Sequence, residues 1–247
     1  MDQQDFEEQL LSDDFDRALA IRFAPKPKRQ GLYLLAALNG ELSRMARQTA
    51  DPLLRQIKIQ FWREALYEKN GAGLKLAMQI IDCLASDAEF FSSLEKLLLA
   101  HEKALLETQV SANGRAACLA ALFELSSSYI DRSVLPANDH FFLLCGEVED
   151  RLMVLRQEGM TKEQELEPET ERLRIQGITA SYQALCEELS ALPEFHRAGI
   201  LPLALVPSYL HLYQASDKKI REPIDLHPLK KAFVMWRAIR TGFRSLR

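Results

Sequence analysis

The sequence predicts an all-α fold, a helical bundle in one domain spanning residues 1–247. Three observations predict it. Apolar residues recur every three or four positions along almost the whole chain, and no alternating run of useful length competes with that period. Proline, glycine and capping residues divide the pattern into about nine or ten segments of helix length. No Gly/Ser/Pro-rich linker separates two compositions, and no repeat of fixed length suggests a solenoid.

Taken in order, Phe6 to Phe23 carries Phe6, Leu10, Phe15, Leu19 and Phe23 at steps of about four, as one amphipathic helix or two short ones broken near Ser12 and Asp14. Pro25 and Pro27 end it. Residues 32–49 form a long helix, apolar at first and then polar, with Glu41, Ser43, Arg44 and Arg47 on successive turns. Residues 51–70 follow: Asp51 suits an N-cap, Pro52 the first helical position, and Gly71 the end. Leu54, Ile57, Phe61 and Ala65 make one stripe and Ile59, Trp62 and Leu66 another, so this helix is expected to be buried on two sides, in the middle of the bundle. Arg55, Gln60 and Arg63 would then stand beside whatever cavity it lines.

Gly71 and Gly73 lead into a short helix with Leu76, Ile80 and Leu84, and Asp87 can cap the next, through Phe90 to Leu105. Asn113-Gly114 is read as a break before an apolar helix over 116–130. Another break at 136–139 precedes a helix through Phe141, Val148 and Leu155. The charged run 161–171 reads as an exposed loop entering a long helix that ends near Pro193. Residues 201–213 make a helix interrupted or kinked near Pro207, and a polar connection over 216–228 leads to the last one.

Composition narrows the function. With 47% hydrophobic and 27% charged residues the chain can build a large core and stay in solution. A formal charge of -4 offers nucleic acid no global attraction. Residues 2–16 hold seven acids and no base, unlike basic presequences, so a cytoplasmic location is expected. No apolar run is long enough to span a bilayer. Cys83, Cys118, Cys145 and Cys186 sit singly in apolar helical patterns, as reduced core thiols. His101, His140, His196, His211 and His227 have no metal-ligand spacing, and no nucleophile elbow, P-loop or dinucleotide fingerprint is present.

The run over 57–66, IKIQFWREAL, resembles the Q-W/F-W-R-D/E-A-L helix of the squalene and phytoene synthase family. Three further stretches agree in order: 16–29, with Phe23-Ala24-Pro25 and Lys28-Arg29; Gly199 to Pro207, GILPLALVP; and Trp236-Arg237. The last two are closest to a divergent branch found in α-proteobacteria, which includes relatives of a mitochondrial factor for assembly of respiratory complex I. The resemblance implies the isoprenoid (trans-prenyl) synthase bundle with a central cavity. It also implies magnesium, because active members hold two allylic diphosphates with metal ions on a D-x-x-x-D motif from each of two facing helices.

Here that requirement is not met. Setting Lys28-Arg29 on the equivalent turn puts the first motif on Ser43, Arg44 and Arg47, and Val154-Leu155-Arg156 puts the second on Gln157 and Thr161. Neither set holds magnesium. Glu147, Asp150 and Asp82 are the acids weighed as substitutes, and solvation or ion pairing accounts for them. No catalytic residue and no metal ligand is therefore assigned. Ser43, Arg44, Arg47, Arg55, Gln60, Trp62 and Arg63 remain candidates for a pocket, Arg44 and Arg47 for an anion such as a lipid phosphate, and Trp62 with Phe61 for an apolar chain. Pairing of Arg44 and Arg47 with Glu41 is the plainer role.

The last helix, about 229–247, is basic and amphipathic. Leu229, Phe233, Trp236, Ile239, Phe243 and Leu246 share one face, with Lys230, Lys231, Arg237, Arg240, Arg244 and Arg247 around it. Such a helix fits an anionic membrane surface; alternatively its apolar face docks on the bundle and its bases stay in water. The expected function is a non-catalytic member of the fold, peripheral to the inner membrane, that binds an isoprenoid or lipid or a protein partner in an assembly role, without a cofactor. The alternative is a magnesium-dependent head-to-head prenyl transferase whose metal site has been rebuilt from other acids.

Overall fold

The computed structural model describes residues 3–49, 51–68, 73–84, 88–106, 112–136, 140–158, 168–190, 194–215 and 225–241. Eleven α-helices and no strand occur among them: α1 (Gln3–Asp13), α2 (Phe15–Ile21), α3 (Arg29–Gln48), α4 (Pro52–Tyr67), α5 (Lys75–Leu84), α6 (Ala88–Leu106), α7 (Ala112–Ile130), α8 (His140–Glu158), α9 (Pro168–Leu189), α10 (Val206–Ala215) and α11 (Pro228–Thr241). The Asp87 cap, Gly71, Thr161 and residues 216–224 lie outside the described residues.

Local chemistry accounts for the boundaries. Asp14 breaks the first helical stretch because its carboxylate accepts from the Arg17 amide at 3.1 Å, capping α2. Asp51 does the same for α4, accepting from the Leu53 amide at 2.8 Å, with Pro52 in the first helical position. Asn113-Gly114 does not separate helices, as the sequence suggested, but lies in the first turn of α7, where amides lack intrahelical partners and weak helix formers cost little. Near Pro207 the 201–213 stretch is interrupted, as the sequence suggested: a 3-10 segment ends at Leu205 and α10 begins at Val206, with Pro207 in its first turn.

The core has two parts that share α7. On one side Leu122, Leu125, Tyr129 and Ile130 of α7 meet α3, α5 and α6. On the other, Ala120 and Phe123 meet α8, α9, α10 and α11. α7 is buried nearly all round, including Ser126, Ser127 and Ser128. Close approach makes this possible. A Cβ on Gly146 would lie 2.1 Å from the Ala116 carbonyl oxygen, and one on Gly199 2.6 Å from Ser127 Oγ. Gly199 belongs to a long 3-10 segment, Glu194–Leu205, whose Ile200, Leu201, Leu203, Ala204 and Leu205 are all buried. Pro202 interrupts the amide ladder inside it.

α4 is therefore not the helix through the middle. Ile59, Ala65 and Leu66 bury one face against α3, α5 and α6, while Leu53, Leu54, Ile57 and Phe61 remain 64, 44, 57 and 43% exposed. Of the first apolar stripe only Ala65 is buried, beside Ile59 and Leu66 of the second, because a helix at the edge of a bundle has neighbours on one side only.

Candidate functional site

The densest polar chemistry lies where α2, α8, α10 and α11 converge. Lys231 of α11 is buried, with Nζ 2.7 Å from Asp16 Oδ1 and 2.6 Å from Asp225 Oδ1. Arg156 of α8 bridges the same two carboxylates, at 2.9 Å from Asp16 and 3.3 Å from Asp225. The Tyr209 hydroxyl lies 2.7 and 2.8 Å from the two carboxylates and has one proton to share between them, and its ring lies 4.5 Å from the Arg156 guanidinium carbon. Two acids and two bases balance. Burial, and then the adjacent Asp16 charge, push the Tyr209 phenol up. For Asp225, burial alone would raise the carboxyl, but hydrogen bonds from Lys231 and Tyr209 and the charges of Lys231 and Arg156 outweigh it and hold it below the usual value.

A second buried pair lies beside the first. Arg17 Nη2 is 2.5 Å from Glu149 Oε1 and its Nε is 3.2 Å from Asp14 Oδ2, with the guanidinium 5.1 Å from the Phe123 ring centre. Glu149 Oε2 is buried with no hydrogen-bond partner among the described residues. Burial raises the Glu149 carboxyl, against the pull of Arg17. Against Arg17 lies a pocket of about 20 Å³, walled by Ala20, Leu32, Ala36, Ser126 and Pro202. That volume holds a water molecule and not a prenyl chain.

The family chemistry expected from the sequence calls for magnesium, and the residues present do not fit it. Asp16 and Asp225 face one another, but the position between them is filled by the Lys231 ammonium, and Arg156 and Tyr209 occupy further lone pairs. Divalent magnesium needs carboxylates free to coordinate. No group of three metal-ligating side chains occurs among the described residues.

The seven pocket candidates are not gathered into one site. Arg44 pairs with Glu41 at 2.5 Å and Asp13 at 3.5 Å, the plainer of the two roles considered for it. Ser43 is half-buried and Arg47 exposed. Arg55 donates to the Thr49 carbonyl and, at 3.3 Å, to that of Leu105, tying α4 to α3 and α6. Gln60 donates to Glu64 at 3.1 Å, and Arg63 pairs with Glu95 and Glu102 of α6 at 3.1 and 2.9 Å. Trp62 packs half-buried against the first core. Among the described residues no hydrogen bond or ion pair joins Arg44 to Arg55, Gln60 or Arg63.

Of the remaining acids, Asp150 takes a two-pronged contact from Arg115 at 2.6 and 3.2 Å, Glu147 pairs with Arg151 at 3.5 Å, and Asp82 is exposed. The four cysteines are free thiols. His101 is buried with Nε2 3.0 Å from Asn39 Oδ1, and burial lowers its pKa to about 4.

On α11 the structure corrects one candidate and rearranges the rest. Lys231 is not a surface base: with Val234, Met235 and Ala238 it forms the face that docks on the bundle. Leu229, Phe233 and Trp236 point outward, beside exposed Lys230, Arg237 and Arg240. Arg244, Phe243 and Leu246 lie outside the described residues. Sequence reasoning missed Asp16, Tyr209 and Asp225 altogether. One signal was available: Lys231 stands at helical spacing from Val234, Met235 and Ala238, a cation in line with core residues.

Comparison with known proteins completes the picture. Residues 12–116, from the end of α1 into α7, match the family model of squalene/phytoene synthase. No curated protein and no solved structure matches the chain. No helix among the described residues is long and apolar enough to cross a membrane. Over those residues the chain is similar to the squalene/phytoene synthase family, and the all-α architecture agrees with that similarity.

Proposed function

We propose that the chain is a non-catalytic member of the squalene/phytoene synthase family that works by binding, as an assembly or scaffolding factor, rather than by condensing prenyl diphosphates. The observation that carries the reading is the cluster of Asp16, Asp225, Lys231 and Arg156, in which two side-chain cations neutralise the facing carboxylates. A cation supplied by the chain itself leaves a diphosphate-bound metal nothing to hold. Arg44, in the place where the resemblance puts a metal-binding aspartate, adds a positive charge already paired with Glu41 and Asp13.

Two further observations favour a binding role at the surface. The pocket of about 20 Å³ beside Arg17 has room for a water molecule and not for a prenyl chain. The outer face of α4, with Leu53, Leu54, Ile57 and Phe61 exposed, is a contiguous apolar patch of the kind that marks interaction sites.

The test is direct. Purified protein is incubated with farnesyl or geranylgeranyl diphosphate and magnesium, and diphosphate release and products are followed. No magnesium-dependent release is expected. A head-to-head condensed product would overturn the reading and restore the transferase alternative.

A further inference from the structure

α11 is fastened to the bundle by the wrong face for an ordinary amphipathic helix. Its docking side consists of Lys231, Val234, Met235 and Ala238. Viewed down the axis at 100° per residue, Leu229, Phe233, Trp236 and Arg240 fall together on the opposite side. The three apolar residues are 75, 58 and 47% exposed. Phe233 and Trp236 stack with ring centres 6.0 Å apart, and the Arg240 guanidinium lies 5.5 Å from the Trp236 ring. Lys230 and Arg237 are exposed on one flank of this stripe, one above the other. No acid occurs between residues 228 and 241.

We infer that the outward face of α11 is a docking surface for an anionic lipid membrane, with Leu229, Phe233 and Trp236 entering the headgroup region and Lys230, Arg237 and Arg240 binding lipid phosphates. The charge pattern selects this occupant. A neutral apolar partner would gain nothing from three bases without a single acid, whereas an anionic surface attracts each of them. The aromatic pair suits the interface, where a large ring gains from partial burial without having to leave water entirely. The helix lies on the membrane and does not cross it, since its other face is committed to the bundle through the Lys231 contacts with Asp16 and Asp225. The inference goes beyond the proposed function and holds whether or not the chain catalyses.

Flotation of the full chain with vesicles tests it. The chain is expected to float with phosphatidylcholine mixed with phosphatidylglycerol, to stay down with phosphatidylcholine alone, and to be released by salt. Replacing Lys230, Arg237 and Arg240 by Gln should weaken binding to the mixed vesicles roughly a hundredfold. Phe233→Ser with Trp236→Ser should abolish flotation. All five side chains are outward, so both variants should keep the far-ultraviolet circular dichroism and melting temperature of the parent. Absence of flotation in the parent overturns the proposal, as does flotation that neither variant alters. Loss of self-association in the variants, without any vesicle binding by the parent, would assign the face to a second copy of the chain and overturn it equally.

Discussion

The two sides of α7 solve the problem of buried polar groups differently. On the side that holds most of the family match, the buried polar groups are few: His101 is met by the Asn39 amide, Arg55 by two backbone carbonyls and Thr49 by Lys58. On the other, full charges are paired, buried Lys231 and half-buried Arg156 with buried Asp16 and the more exposed Asp225, and buried Arg17 with Glu149. A neutral contact can be lost at the cost of one hydrogen bond, but a buried ion stripped of its partner has to be dehydrated for nothing. The second side is thus the more specified and the more fragile.

The largest expected effect falls there. Lys231→Met leaves Asp16 and Asp225 bridged by the Tyr209 hydroxyl and by Arg156 as their one remaining shared cation, and should cost about 3–5 kcal/mol in urea unfolding. A loss near zero would mean the cluster is hydrated and the contrast between the sides unfounded. On the first side the comparable probe is pH. His101 binds its proton with a pKa of about 4 when folded, lowered from 6.5 by burial. Between those values the unfolded chain takes up a proton that the folded chain refuses, so stability present above 6.5 is lost as pH falls through about 4. The amount is about 3 kcal/mol, and His101→Gln should remove it. Glu149, raised by burial, acts with opposite sign, losing stability as pH rises, so the difference between parent and variant isolates the histidine. An identical pH dependence in His101→Gln would show that the ring is not buried neutral.

A smaller effect probes the wall between the sides. Gly146→Ala sets a methyl against the Ala116 carbonyl, and the shift of α8 from α7 should cost about 1–3 kcal/mol. If melting then separates into two steps, the contact is what couples the sides. The smallest belongs to the arginine at the expected metal position: Arg44→Ala, about a third exposed and paired at the surface, should change stability by under about 1 kcal/mol. A larger loss would mark Arg44 as structural on the scale of Lys231.

The architecture was legible in the sequence wherever an effect is local. Asp14 and Asp51 cap helices because a carboxylate reaches an amide two or three residues on, which needs no knowledge of the fold. Which of two apolar stripes becomes buried is not local. α4 and α11 each carry two, and the choice was made by neighbours distant in sequence: α3, α5 and α6 for α4, and Asp16 with the 194–205 segment for α11. The ion cluster was illegible for the same reason, since its members stand at positions 16, 156, 209, 225 and 231, and alone the four charged ones read as surface charges and Tyr209 as a core aromatic. α7 could have been recognised, because a helix of Ala, Leu, Phe and Ser with hardly a charge is one that has no wet side.

That helix bears on how the protein can be divided. Similarity to the family model stops at residue 116, a few residues into α7, yet Leu122, Leu125, Tyr129 and Ile130 farther along complete the core that the similar part builds. The boundary of resemblance is therefore not a seam. A fragment cut there would present an open hydrophobic trough where α7 had been, and the remainder would lack the same wall from its other side. Any substitution along the second half of α7 has to keep closing the first core as well as the second.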